Sequence, residues 1–238
     1  MRHRLIAVAL LLTWSGQAAP GEPLRLPPPG DPGWEPVELP GVERPTDYEA
    51  IAVEGRPGGR ALRAEAECSA SARVLQLPET LDLEATPLLR WSWRAIRVSV
   101  EVPDERSKPG DDFAARVGVM FPFEPERAGW LARVRNGIAA SLAGREVPGT
   151  TLYFVWSAHA EPGSRWKSPY GEEIEVVVLE RGETREWRDA AVDLRRAYRD
   201  AFGRNPPRPV AVGLMSDSDN HCGEARADYG TLEFSEAP

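Results

Sequence analysis

The chain has few of the residue types on which catalysis and nucleic-acid binding most often depend. Of 238 residues, three are histidine and two are cysteine. Lysine is nearly missing: Lys108 and Lys167 stand against 27 arginines, a skew that reads as GC-rich coding rather than function. Acids outnumber bases 37 to 29, for a net charge of −8. Phosphate backbones are gripped by a basic face, so this balance argues against nucleic acid as a partner. Long apolar runs are also missing. The best, Leu5 to Trp14, falls well short of the about 20 residues a transmembrane helix needs. No Gly-x-Ser-x-Gly elbow, phosphate loop or His-x-x-x-His pair occurs, and no motif names a reaction.

What the first residues do contain is the layout of a secretory signal. Met1-Arg-His-Arg is basic, the apolar run follows, and Gly16-Gln-Ala18 supplies small residues for cleavage after Ala18. No cysteine adjoins that point, so a lipid anchor is not expected. Without Arg2 and Arg4 the mature chain carries 27 basic and 37 acidic residues, a net charge of −10. A periplasmic or secreted location follows. In that oxidising setting Cys68 and Cys222 are expected to pair. Such a bond would tie the first strand region to the last loop, for roughly 4–5 kcal/mol on the loop-entropy model.

Residues 19–46 are rich in proline and glycine and read as an extended lead-in, with the globular domain spanning 47–238. That domain is mostly strand. Leu88-Leu-Arg-Trp-Ser-Trp-Arg alternates Leu89, Trp91 and Trp93 against Arg90, Ser92 and Arg94, which makes both tryptophans core residues. Phe113 to Phe121 alternates likewise and puts Arg116 and Gly118 on the other face. Thr151–Ser157 and Glu173–Leu179 are rich in β-branched and aromatic residues. Two segments carry helical spacing instead: 126–142, with Trp130, Val134, Ile138 and Leu142, and 185–202, with Trp187, Ala191, Leu194, Tyr198 and Phe202 before Gly203. The expected fold is a mainly β, jelly-roll-like β-sandwich with two peripheral helices.

Six motifs in this order, Leu-Arg-Trp91-Ser-Trp93-Arg, Asp104-Glu-Arg, Gly110-Asp-Asp-Phe-Ala-Ala-Arg-Val, Tyr153-Phe-Val-Trp156, Met215-Ser-Asp-Ser-Asp-Asn and Ala227-Asp-Tyr-Gly, resemble an uncharacterised family of exported Gram-negative proteins, domain of unknown function thirty forty-seven. The resemblance runs from Thr46 to Phe234. It implies an exported β-rich domain and no particular activity. His221-Cys222 departs from the small polar residues usual at that point, which favours a disulfide particular to this member.

Two acidic turns are the site candidates, because loops held by rigid strands carry most binding chemistry. In the first, Lys108-Pro-Gly-Asp-Asp, Asp112 sits four residues before Arg116, on the same side of an extended chain. The pair reads either as a structural ion pair or as a grip on a ligand, with Arg116 holding a carboxylate or a hydroxyl pair and Arg90 and Arg94 joining it. In the second, Asp217, Asp219 and Asn220 read either as turn-capping groups or as oxygen ligands for Ca²⁺, with Asp217 and Asp219 as the metal pair. Trp166 and Tyr170, in a loop rich in proline and glycine, are the aromatics best placed for ligand contact. The ligand-binding candidates are thus Asp111, Asp112, Arg116, Trp166, Tyr170, Asp217, Asp219 and Asn220, with no residue assigned to catalysis. The favoured reading is a domain that binds carbohydrate or another envelope polymer without transforming it. Two others compete: a glycan-active hydrolase or lyase using the same carboxylates in a pair, and an envelope assembly or scaffold protein.

Overall fold

The computed structural model describes residues 22–99, 101–124 and 148–237. Among these residues fourteen strands form two seven-stranded sheets packed face to face as a β-sandwich. The first sheet holds β1 (Leu24–Arg25), β3 (Asp47–Ala52), β4 (Arg60–Glu67), β6 (Leu88–Arg97), β11 (Arg188–Asp193), β13 (Glu224–Tyr229) and β14 (Glu233–Ser235). The second holds β2 (Glu35–Glu38), β5 (Ala70–Gln76), β7 (Ala115–Pro122), β8 (Pro148–Ser157), β9 (Arg165–Lys167), β10 (Ile174–Arg181) and β12 (Ala211–Asp217). Pairing is antiparallel throughout except between β8 and β10, which run parallel.

The core lies between the sheets and is built by the alternation the sequence shows. Leu89, Trp91 and Trp93 of β6 face Val117, Val119 and Phe121 of β7 and Leu152, Phe154 and Trp156 of β8 across one apolar layer. Trp93 meets Trp156 edge to face, with centroids 5.4 Å apart. Among the described residues one α-helix, α1 (Leu194–Phe202), packs Tyr198 on Phe121.

Two expectations change. The helix expected over 185–202 starts only at Leu194. Arg188–Asp193 instead pairs with the open edge of β6, and Asp193 caps the helix by accepting from the backbone N–H of Arg196 at 2.9 Å. An unpaired edge running the length of β6 outweighs weak helical periodicity. The helix expected over 126–142 lies outside the described residues. The described part of the lead-in contributes to the sandwich: β1 closes one sheet against β14, β2 extends the other along β5, and Trp34 is buried. Proline is compatible with this role because both strands are edges, where a missing N–H breaks no ladder.

Candidate functional site

The outer face of the second sheet carries the chemistry. Residues in register across it share that face: Ala72, Met215, Arg116, Val155 and Val178 form one row, and Val74, Gly213, Gly118, Tyr153, Val176 and Trp166 the next. Gly118 does not leave this face open. A Cβ there would lie 2.8 Å from the Tyr153 ring, so the glycine lets Tyr153 lie down across the sheet.

Arg116 is 3% exposed and anchors the site. Its Nε donates to Oδ1 of Asp217 at 2.9 Å, and Nη2 donates to Oδ2 of the same carboxylate. Its Nη1 donates to Oδ2 of Asp111 at 3.1 Å, and Nη2 also reaches the Asp111 carbonyl. The guanidinium lies over the Phe113 ring at 4.6 Å and near the Tyr153 ring at 5.6 Å. Tyr229 supports it from beneath. That side chain crosses from the first sheet, and its hydroxyl accepts the Arg116 backbone N–H at 3.2 Å and donates to the Met215 carbonyl at 2.6 Å.

One guanidinium thus serves two buried acids. Burial pushes the Asp217 carboxyl up to about 7, against the pull of Arg116. Asp111 is raised for the same first reason, again offset by Arg116. Asp112 is spent on the neighbouring loop. It accepts the backbone N–H groups of Asn220 (3.1 Å) and His221 (3.0 Å), the Asn220 side-chain amide (3.0 Å), and the His221 ring. The ion pair expected between Asp112 and Arg116 is therefore replaced by pairs from Asp111 and Asp217, because the turn after the short 3-10 helix 108–110 presents Asp111 to Arg116.

Above this floor lies a cleft of about 260 Å³. Its polar wall brings together Asp111, Arg116, Asp217, Asp219, Asn220 and Tyr170, six of the eight candidates. Apolar cover comes from Leu39, Pro40 and Val42 of the N-terminal stretch and from Ile174 and Met215. Tyr170 stands at the rim, 55% exposed, with its hydroxyl donating to Oδ1 of Asn220 at 2.8 Å and the Lys108 ammonium 5.4 Å from its ring. Asp112 sits below this wall, and Trp166 lies outside it, stacked on Phe113 and half-buried. Arg90 and Arg94 do not join Arg116. They lie on β6 in the other sheet, where Arg94 donates to Asp228 at 2.7 Å.

Carboxylate oxygens of Asp112, Asp217 and Asp219 lie within 4.8 Å of one another, a spacing one hard cation would bridge. Arg116 already occupies both oxygens of Asp217. Cys68 and Cys222 are joined, which fixes the loop 218–223 to the end of β4. Both cysteines adopt left-handed backbone (φ 46° and 58°), a conformation costly for residues other than glycine. Tyr153, Tyr229 and Leu39 are not candidates on sequence grounds, yet they stand at the site. Only the register of β7 with β8 and the path of the N-terminal stretch bring them there.

The chain matches the family "Protein of unknown function (DUF3047)" over residues 32–233, and it belongs to that family. No curated protein matches it in sequence. Solved structures of similar shape include a family 11 carbohydrate-binding module from Clostridium thermocellum in complex with a β-1,3-1,4-mixed-linked tetrasaccharide, at 8% identity, 92% of this chain, 98% of that one and a TM-score of 0.43. A family 30 carbohydrate-binding module of a C. thermocellum cellulosomal cellulase is 12% identical, covering 91% of this chain and 99% of that one at a TM-score of 0.42. The xyloglucanase domain of a type three effector from Sinorhizobium fredii is 10% identical, covering 92% and 100% at a TM-score of 0.31.

Proposed function

We propose that this DUF3047 member is an exported, jelly-roll-like binding domain, working in the periplasm or outside the cell. It would recognise carbohydrate or another envelope polymer in the cleft above Arg116 without transforming it. The observation that carries this reading is Tyr170: among the described residues it is the one large apolar side chain left exposed, and it stands on the rim of a polar-walled cleft. A sugar ring offers an apolar C–H face to an aromatic ring and hydroxyls to the groups around it. Asp219, Asn220 and Ser168 supply acceptors and donors at that wall. The volume suits one ring of a longer polymer.

The Arg116 cluster supports the floor rather than gripping the ligand. Asp111 and Asp217 take up all of its charge and Asp219 adds another acid to the wall, so the cleft disfavours an anionic polymer. The same pairing argues for binding over cleavage, since acid–base work on a glycoside needs carboxylates free to exchange protons with substrate. The Cys68–Cys222 bond fits a location in which disulfides persist.

The test is incubation of the oxidised protein with neutral and acidic envelope and plant polysaccharides, scored by co-sedimentation and by release of new reducing ends. Retention without release, weakened about tenfold or more by Tyr170→Ala, is the expected result. Release of ends that Asp217→Asn or Asp219→Asn abolishes would overturn it in favour of a hydrolase or lyase.

A further inference from the structure

On its other side, the loop that walls the cleft takes part in a second constellation. Oγ of Ser99, two residues beyond β6, lies 2.6 Å from Nε2 of His221. Across the ring, Nδ1 meets Oδ2 of Asp112. A carboxylate only accepts, so Nδ1 carries a proton, and in the neutral ring the lone pair of Nε2 faces Ser99 and accepts its O–H. Asp112 is buried and held by two backbone N–H groups, and the His221 side chain is 13% exposed. These are the roles of a nucleophile, a base and the group that orients the base, which are recognised by geometry and not by chain order.

The surroundings fix this arrangement. A Cβ on Gly223 would lie 2.1 Å from Ser99 Oγ and 2.5 Å from His221 Nε2, so only glycine admits the contact. Gly223 is pinned at both ends, its N–H donating to the Ser218 carbonyl and its carbonyl accepting from Cys68, each at 3.1 Å. The disulfide locks the residue next to His221, and Glu183 accepts the N–H of Val98 at 3.0 Å beside Ser99. Ser99 opens into its own pocket of about 310 Å³, distinct from the cleft over Arg116. Four glutamates and one arginine line that pocket, Glu67, Glu101, Glu183 and Glu224 with Arg97.

We propose that Ser99, His221 and Asp112 form an acyl-transfer site that hydrolyses small esters of neutral or cationic alcohols, the acidic pocket repelling anionic ones. In the first half, Ser99 Oγ bonds to the ester carbonyl carbon, its proton passes to His221 Nε2, and the carbonyl π pair moves to oxygen. Collapse breaks the carbon–alkoxide bond, and the alcohol leaves with the proton from Nε2. In the second half, water gives a proton to Nε2 and attacks the acyl-serine; collapse releases the acid and returns the proton to Ser99. The balance is ester plus water to acid plus alcohol, with no oxidant or cofactor. This inference is independent of polymer binding in the cleft and stands or falls separately.

The test uses the full oxidised protein, an alkyl fluorophosphonate with intact-mass and peptide readout, and p-nitrophenyl acetate. One adduct per chain on Ser99 is expected, with ester hydrolysis that falls to background in Ser99→Ala. His221→Gln is expected to slow both about 10²–10⁴-fold. Because Asp112 also holds the loop, Ser99→Ala is the deciding variant, and its melting temperature should match the parent's. No adduct, an adduct elsewhere, or hydrolysis equal in parent and Ser99→Ala would each overturn the proposal.

Discussion

The two outer faces of the sandwich solve the same electrostatic problem in opposite ways. On the first sheet one buried acid, Asp228, is served by two arginines: Arg63 bidentately at 2.8 and 3.0 Å, and Arg94 at 2.7 Å. Both guanidiniums reach solvent, and Arg94 also covers the Trp187 ring at 4.8 Å. On the second sheet one buried arginine, Arg116, serves two buried acids. The difference is depth. The first face keeps water on its charges, whereas the second is roofed by residues 39–42 and by the loops carrying Tyr170 and Asn220. Desolvation therefore shows on Asp217 and Asp111, and the charge cluster becomes the floor of a cleft instead of a solvated surface.

The sharpest way to break the comparison is to remove the hub on each face. Arg116→Met strands two acids in the interior and is expected to cost about 3–5 kcal/mol in urea unfolding. Asp228→Asn leaves two arginines that water can reach, for about 1–3 kcal/mol. The reverse order would mean that depth is not what separates the faces. Between them falls the paired substitution Cys68→Ser with Cys222→Ser, expected to cost about 2–4 kcal/mol. It should raise proteolytic cleavage at 218–223 on the cleft side while sparing the first sheet; equal loss on both faces would sink that reading.

A smaller effect separates the faces by pH. The folded Asp217 carboxyl, at about 7, holds a proton that an unfolded aspartate has already released. Its contribution to stability is thus present at acid pH and is lost as pH rises from about 4 to about 7. Melting temperatures of the parent and Asp217→Asn across that range should diverge in slope, and parallel curves would contradict the assignment. The smallest expected effect is that of a chelator. A Ca²⁺ at Asp217 and Asp219 would have to share Asp217 with Arg116, so EDTA should move the melting temperature by no more than about 1–2 °C. A large shift restored by Ca²⁺ would instead assign a metal to the second sheet.

The pattern of alternation made much of this legible in advance. Trp91 and Trp93 share the apolar face of their strand with Leu89, and both are buried in the core. Arg116 was placed opposite the apolar side of its strand for the same reason. Less legible were strands that owe their existence to a partner. The segment 188–193 has a helix-like spacing and becomes β11 because β6 offers an edge. β13 hides within a polar stretch, since Asp228 looks like a surface residue until Arg63 and Arg94 flank it. The choice of acid for Arg116 was likewise out of reach: Asp111 and Asp112 are adjacent, and only the turn decides which one it meets.

The sequence by itself determined class and parts: an acidic β protein, two cysteines suited to pairing, and two acidic turns carrying polar groups. Those features follow from composition and from local period, which act over a few residues. Tertiary structure alone decided what the parts do together. Ser99, Asp112 and His221 are spread over more than a hundred positions and meet because three strand ends converge beside the disulfide. Arg116 is buried, not offered to solvent, because loops distant in sequence roof its face and exclude the water that would otherwise compete for its charge.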